Sequence, residues 1–176
     1  MFHEIETKEI LVLGCGNVLF GDDAFGPKVI ERFEASDQPL PEWVFAEDVG
    51  TSVRDILFNV GLAPKKPSLV MLVDAVQVPE REPGEVFVLD IGEVPAIKSA
   101  IYSFHQCPTS SLLRELRDEA GIDVIVIAGQ AAHIPESVEE GMSPPMEAAV
   151  DRAVTLIRRL CEDRSPTEEV REPCSI

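Results

Sequence analysis

The sequence predicts one three-layer α/β/α domain around a mostly parallel β-sheet. Three observations carry this expectation. Short apolar, β-branched runs alternate with longer stretches of helical period. The run at residues 68–73 is apolar almost throughout, as a central strand covered on both faces must be. Residues 85–89 form a fourth strand-like run that follows a loop containing Pro79, Pro83 and Gly84. That loop leaves no room for a crossover helix, so the fourth strand is expected to be antiparallel.

The elements follow in order. Residues 8–13 read as a buried strand stopping at Gly14, and Val29, Ile30 and Phe33 form the apolar stripe of a first helix with Pro27 in its first turn. Residues 43–46 read as a second strand ending near Asp48. Ser52 and Asp55 mark a helix start, and Asn59 with Gly61 its stop. Pro108 opens a helix with the stripe Leu112, Leu113 and Leu116, followed by a fifth strand at 123–128. After Ser143, Pro144 and Pro145 comes the clearest 3.6-residue period of the chain: Met146, Ala149, Val150, Ala153, Val154, Ile157 and Leu160. Residues 1–161 are therefore expected to form one domain, and 162–176 a charged, loose tail.

Composition narrows the function. Of 176 residues, 45% are hydrophobic, which excludes a disordered chain. The apolar runs are too short to span a bilayer, and Glu4, Glu6 and Glu9 precede the first of them, unlike a secretory leader. A formal net charge of −17 argues against nucleic-acid binding, which needs Lys and Arg to displace counterions. Cys15, Cys107, Cys161 and Cys174 show no Cys-x-x-Cys spacing, so they are read as reduced thiols in a cytoplasmic protein rather than a zinc knuckle.

In open α/β sheets, ligands bind beyond the carboxyl ends of the strands. The first such end is Gly14-Cys15-Gly16-Asn17-Val18-Leu19-Phe20-Gly21-Asp22-Asp23. Leu19 stands where a dinucleotide loop needs glycine, and two carboxylates stand where a phosphate would sit. Either Asp22 or Asp23 suits a helix cap, which leaves the other for ligation or acid–base work. Asp74 closes the third strand and Asp48 the second. Aspartate beside an apolar central strand is costly unless paired or coordinating, although a turn role is the commoner one. His3 and His133 read as surface residues, and His105 directly precedes a helix. Carboxylates and an imidazole above the sheet edge suit a divalent Zn, Ni or Mn ion, or acid–base chemistry on water. No Gly-x-Ser-x-Gly elbow is present, and acidic surroundings oppose a thiolate at Cys15 or Cys107.

Residues 12–26, Val-Leu-Gly-Cys-Gly-Asn-Val-Leu-Phe-Gly-Asp-Asp-Ala-Phe-Gly, resemble the opening signature of the hydrogenase maturation endopeptidases. Further segments agree in order: Asp48-Val49-Gly50-Thr51, Val73-Asp74-Ala75 with Pro83-Gly84, Ser103-Phe104-His105-Gln106, and Glu139 to Pro144. The His105-to-Pro108 segment and the Gly129-Gln130 loop look closest to the branch serving coenzyme F420-reducing hydrogenases. The resemblance implies a five-stranded mixed sheet of the phosphorylase/hydrolase-like kind, with helices on both sides. It implies a cytoplasmic, monomeric endopeptidase that trims the C-terminus of a nickel–iron hydrogenase large-subunit precursor. Asp23, Asp74 and His105 match the family's metal-contacting residues, Asp48 a position thought to matter for function or substrate contact, and Gly14, Gly16 and Asn17 the positions that shape the loop. Cys15 replaces the family's usual small or β-branched residue. No cofactor is expected to be held permanently; nickel comes with the substrate. Residues 91–102 must then return the chain from an antiparallel strand before His105 can join the aspartates. A nickel-binding assembly chaperone without proteolytic activity is the alternative reading of the same ligands.

Overall fold

The structure, a computed structural model, describes residues 7–90 and 110–164. The chain runs β1 (Ile10–Cys15), a 3-10 turn (Gly21–Ala24), α1 (Phe25–Glu34), β2 (Val44–Gly50), α2 (Val53–Leu62), β3 (Leu69–Val76), β4 (Val86–Asp90), α3 (Ser110–Asp118), β5 (Asp123–Gln130) and α4 (Pro144–Asp163). The five strands form one sheet in the order β2-β1-β3-β5-β4. All neighbouring pairs are parallel except β4 with β5, so the fourth strand is the antiparallel edge that its short approach loop required. His105 and the return stretch at 91–102 lie outside the described residues, as does the tail from residue 165.

Side chains alternate across the sheet and divide the core in two. Leu11, Leu13, Val70 and Leu72 pack with Val53, Leu57, Leu113 and Leu116 of α2 and α3. Ile10, Val12, Met71 and Val73 pack with Phe25, Ile30, Met146 and Ile157 of α1 and α4. Every residue of β1 and of β3 is buried, which explains why these two strands read as continuous apolar runs. Each fully buried Leu or Ile contributes about 2 kcal/mol. In α4, Ser143 is the residue before the helix and the prolines occupy its first turn. Its buried stripe takes in Cys161, while Val154 and Leu160 are only partly covered. The helix continues to Asp163, two residues past the point where charge and proline take over from periodicity. Arg164 then pairs with Asp123 at the start of β5 (2.7 Å).

Several strands extend further than their apolar runs. β1 includes Gly14 and Cys15, β2 continues through Asp48 to Gly50, β3 continues through Asp74 to Val76, and β5 takes in Gly129 and Gln130, which the sequence reads as loop. Backbone pairing decides this. The ladder between β3 and β5 persists to Val76 opposite Gln130, whatever the side chains along it. The ladder between β1 and β3 stops earlier, at Gly14 opposite Val73. Asp74 is thus the first residue of β3 beyond the reach of β1.

The start of α1 fills that step. Gly26, its second residue, lies directly on the backbone: a Cβ there would fall 2.2 Å from the Cys15 carbonyl oxygen and 2.4 Å from that of Val73. Gly14 meets it from below, and a Cβ at position 14 would sit 2.7 Å from the Gly26 carbonyl oxygen. Backbone atoms of two core strands have nowhere to move. We expect Gly26→Ala to cost at least about 2 kcal/mol through this overpacking, read as a lower urea midpoint at unchanged slope.

Candidate active site

The loop from β1 to α1 is a tightly bonded turn. Gly16 takes a φ of +125°, and a Cβ on it would lie 2.0 Å from the Asp23 carbonyl oxygen, so only glycine fits. Asn17 closes the turn three ways. Its N–H donates to the Asp23 carbonyl (3.2 Å), its carbonyl accepts from the Phe20 N–H (3.1 Å), and its side-chain oxygen accepts from the Leu19 N–H (3.0 Å). The 3-10 turn that follows carries Asp22 and Asp23, both buried.

The two neighbouring carboxylates do different work. The residue at the N-cap of α1 is Ala24, which has no polar side chain to cap with. Asp22 points instead at distant chain. One carboxylate oxygen accepts from the N–H groups of Ala132 (2.8 Å) and His133 (3.1 Å) and from the Ser143 hydroxyl (3.0 Å); the other accepts from the Ser143 N–H (2.7 Å). It fastens the loop after β5 and the head of α4 to the β1 turn. Sequence reasoning missed this, because no local signal links position 22 to positions 132 and 143.

Asp23 is the residue that faces Asp74. Asp74 is 4% exposed and falls in alternation with Leu72 and Val76, on the β3 face that α2 and α3 cover. Its Oδ1 accepts the Ala75 N–H at 2.9 Å. Burial, and then the negative charge of Asp23, push the Asp74 carboxyl up to about 8, against a smaller opposing pull from the Ala75 N–H. The site therefore favours a protonated Asp74 or an added positive charge beside it.

The other candidates are arranged otherwise. Asp48 is exposed and its Oδ1 accepts the Gly50 N–H (2.9 Å), so it turns back on its own strand. His133 is exposed and bonds Asp22 through its backbone. Among the described residues, no three His, Cys, Asp or Glu side chains gather as a metal-binding group, so neither Asp48 nor His133 completes a set with Asp23 and Asp74. His105 is outside the described residues. Cys15 and Cys161 are buried, the Cys15 thiol donates to the Leu13 carbonyl (3.6 Å), and burial raises the Cys161 thiol to about 11, which opposes a thiolate there. Gln130, also unforeseen, clamps the loop after β3. Its side-chain oxygen accepts the Val78 N–H (3.0 Å) and its side-chain N–H donates to the Val78 carbonyl (3.2 Å).

A mixed, mostly parallel sheet whose strand-end rim buries Asp23 and Asp74 is an α/β domain suited to hydrolytic or metal-directed chemistry. Comparison with known proteins narrows the class. The family model described as HycI, hydrogenase maturation protease, matches residues 27–160. The chain is 38% identical over 152 residues to the coenzyme F420 hydrogenase subunit delta of Methanothermobacter thermautotrophicus, covering 85% of this chain and 92% of that protein. It is 32% identical over 148 residues to the hydrogenase 2 maturation protease of Escherichia coli, covering 82% and 85% respectively. The solved hydrogenase maturating endopeptidase HybD of Escherichia coli superposes with a TM-score of 0.70 at 28% identity, over 89% of this chain and 94% of that one. The protein belongs to the hydrogenase maturation protease family, and it is a peptidase.

Two outcomes follow from the geometry. An acid whose folded pKa is raised destabilises the fold once it must ionise. The native state keeps the Asp74 proton that the unfolded chain has released above its ordinary value near 4, so stability falls as pH rises from about 4 to about 8 and levels off beyond. Asp74→Asn should flatten that slope and gain at least about 1 kcal/mol at pH 9, measured by urea unfolding across pH. Asp22→Ala should cost about 3 kcal/mol, because it strands three backbone donors and a hydroxyl at once. Amide exchange at Ala132, His133 and Ser143 should accelerate in that variant.

Proposed function

We propose that this protein is an endopeptidase that removes the C-terminal extension of a nickel-loaded nickel–iron hydrogenase large-subunit precursor. The observation that carries the proposal is the buried Asp23–Asp74 pair at the rim of the sheet, in a chain of this family. Two carboxylates forced together in a low-dielectric site gain most from a divalent cation. A cation delivered by the substrate would release the Asp74 proton and bind both groups, so precursor without nickel would engage the site poorly. His105, five residues before α3, is proposed as the third contact. An imidazole with two carboxylates suits a borderline ion such as nickel.

In this reading water is the nucleophile. The substrate's nickel polarises the scissile carbonyl or lowers the pKa of a bound water, which a free aspartate of ordinary pKa would do less well. The enzyme holds no metal of its own at rest, so cleavage reports that metal insertion is complete. The F420-reducing hydrogenase is the proposed substrate, supported by the relative named coenzyme F420 hydrogenase subunit delta. Action in the cytoplasm as a monomer is part of the proposal, and the acidic composition suits a cytoplasmic protein.

The test is intact mass spectrometry of candidate precursors incubated with the enzyme, with and without nickel. The nickel-loaded precursor should shorten and the metal-free one should not. Asp23→Asn, Asp74→Asn and His105→Ala should fold and lose at least ~100-fold in rate, the scale of removing a directly acting group. Full processing by the Asp74 and His105 variants would reject the ligand assignment. An unshortened precursor that nonetheless binds would identify a nickel chaperone instead.

A further inference from the structure

Gln130 ends β5, is buried, and spends its hydrogen-bonding groups on two neighbours at once. Its backbone N–H donates to the Glu85 carbonyl (2.8 Å), and its backbone carbonyl accepts the Gly84 N–H (2.7 Å), at the entry to β4. Its side-chain amide takes both backbone groups of Val78, beyond the end of β3. β5 lies between β3 and β4 in the sheet, so the chain from Val78 to Gly84 crosses over the end of β5 and is pinned to Gln130 on either side. By alternation with Val126 and Ala128, the Gln130 side chain stands on the face that carries Asp74. Support for β3 changes along its length. β1 stops pairing at Val73, and from Asp74 to Val76 only β5 pairs with the strand among the described residues. Past Val76, whose carbonyl accepts the Ala131 N–H (2.8 Å), the pairing passes to a side chain. A carboxamide offers the donor and the acceptor of a peptide group, and Gln130 supplies both to Val78.

We propose that Gln130 is a positioning residue of the peptidase: its amide stands in for the missing strand partner beyond the end of β3 and so fixes where the Asp74 carboxylate stands. The inference rests on the peptidase reading above and adds to it a residue that acts through Asp74. Asp74 is the first residue of β3 held on one edge alone, and the Val78 clamp is what stops that one-sided stretch from fraying. Without the amide, the Val78 N–H and carbonyl lose their partners, and the segment after Asp74 can lift from β5. A shift of about 1 Å in a group that must meet the substrate costs on the order of 100-fold in rate. A whole precursor is bound through a far wider surface than one carboxylate, so the loss falls on kcat rather than on KM. The Ala75 N–H donates to Asp74 Oδ1, so its protection from exchange reports whether that carboxylate keeps its place.

The test compares Gln130→Leu, which removes both side-chain bonds, with Val60→Ala, a destabilising change in the buried stripe of α2. Rates for a nickel-loaded precursor are read by intact mass at a temperature where circular dichroism shows each variant folded. Gln130→Leu should lower kcat at least about tenfold and leave KM within about twofold. Amide exchange at Ala75 should accelerate in it more than exchange at Leu72, earlier in the same strand. Val60→Ala should keep kcat near wild type and speed the two amides alike, as a global loss of stability does. Gln130→Glu keeps the bond from the Val78 N–H but sets a carboxylate against the Val78 carbonyl. It should reproduce both effects, and it serves if the leucine variant does not fold. A kcat within about twofold of wild type in the Gln130 variants overturns the inference while the peptidase reading stands. An equal kcat loss in Val60→Ala, or equal acceleration at Ala75 and Leu72 in the Gln130 variants, overturns it in favour of a purely structural role. If the wild-type protein cleaves no nickel-loaded precursor, the peptidase reading fails, and exchange at Ala75 alone still decides whether Gln130 places Asp74.

Discussion

The site depends on one contact: the first turn of α1 rests on bare backbone. Gly14 and Gly26 remove the side chains that would otherwise hold helix and sheet apart, and the helix settles against the carbonyls of Cys15 and Val73. The turn before it is drawn down into the step where β1 stops and β3 continues. That turn carries Asp23, whose charge acts on Asp74 at the end of β3. The steric fact lies in the core, and its chemical result lies at the rim.

Adjacent aspartates illustrate how a buried charge is tolerated or exploited. Asp22 accepts four hydrogen bonds and is a structural fastening. Asp74 accepts the Ala75 N–H beside a like charge and is driven towards its neutral form. The first arrangement satisfies a carboxylate within the fold. The second stores an electrostatic demand that an incoming cation can meet. The fastening residue directly precedes Asp23 and steadies the turn that carries it.

Much of the fold was legible because hydrophobic pattern dictates it. The apolar runs of β1 and β3, the stripe of α4 and the short approach to β4 each have one structural solution. Strand ends were less legible, since Asp48 and Asp74 look like terminators yet the backbone ladder runs past both. At the site, the loop motif drew attention to the pair Asp22 and Asp23, but not to which of them does what. That division depends on partners more than a hundred residues away. Gly26 carried an overlooked signal: glycine in the first turn of a helix is unfavourable by propensity and therefore marks a close approach. The coupling of Asp23 to Asp74 needed coordinates, because neither spacing nor composition encodes a distance.

The bonds from Asp22 close loops of 110 to 121 residues. Contacts of such separation form late in folding, after the entropy of closing the chain between them has been met. Ser143 must have left the ribosome before the turn that holds Asp23 receives its last restraint. A nascent chain can build most of the sheet and still lack the completed rim. The rim is therefore assembled from both ends of the domain, and it is complete only when residues 22 and 143 are both in place.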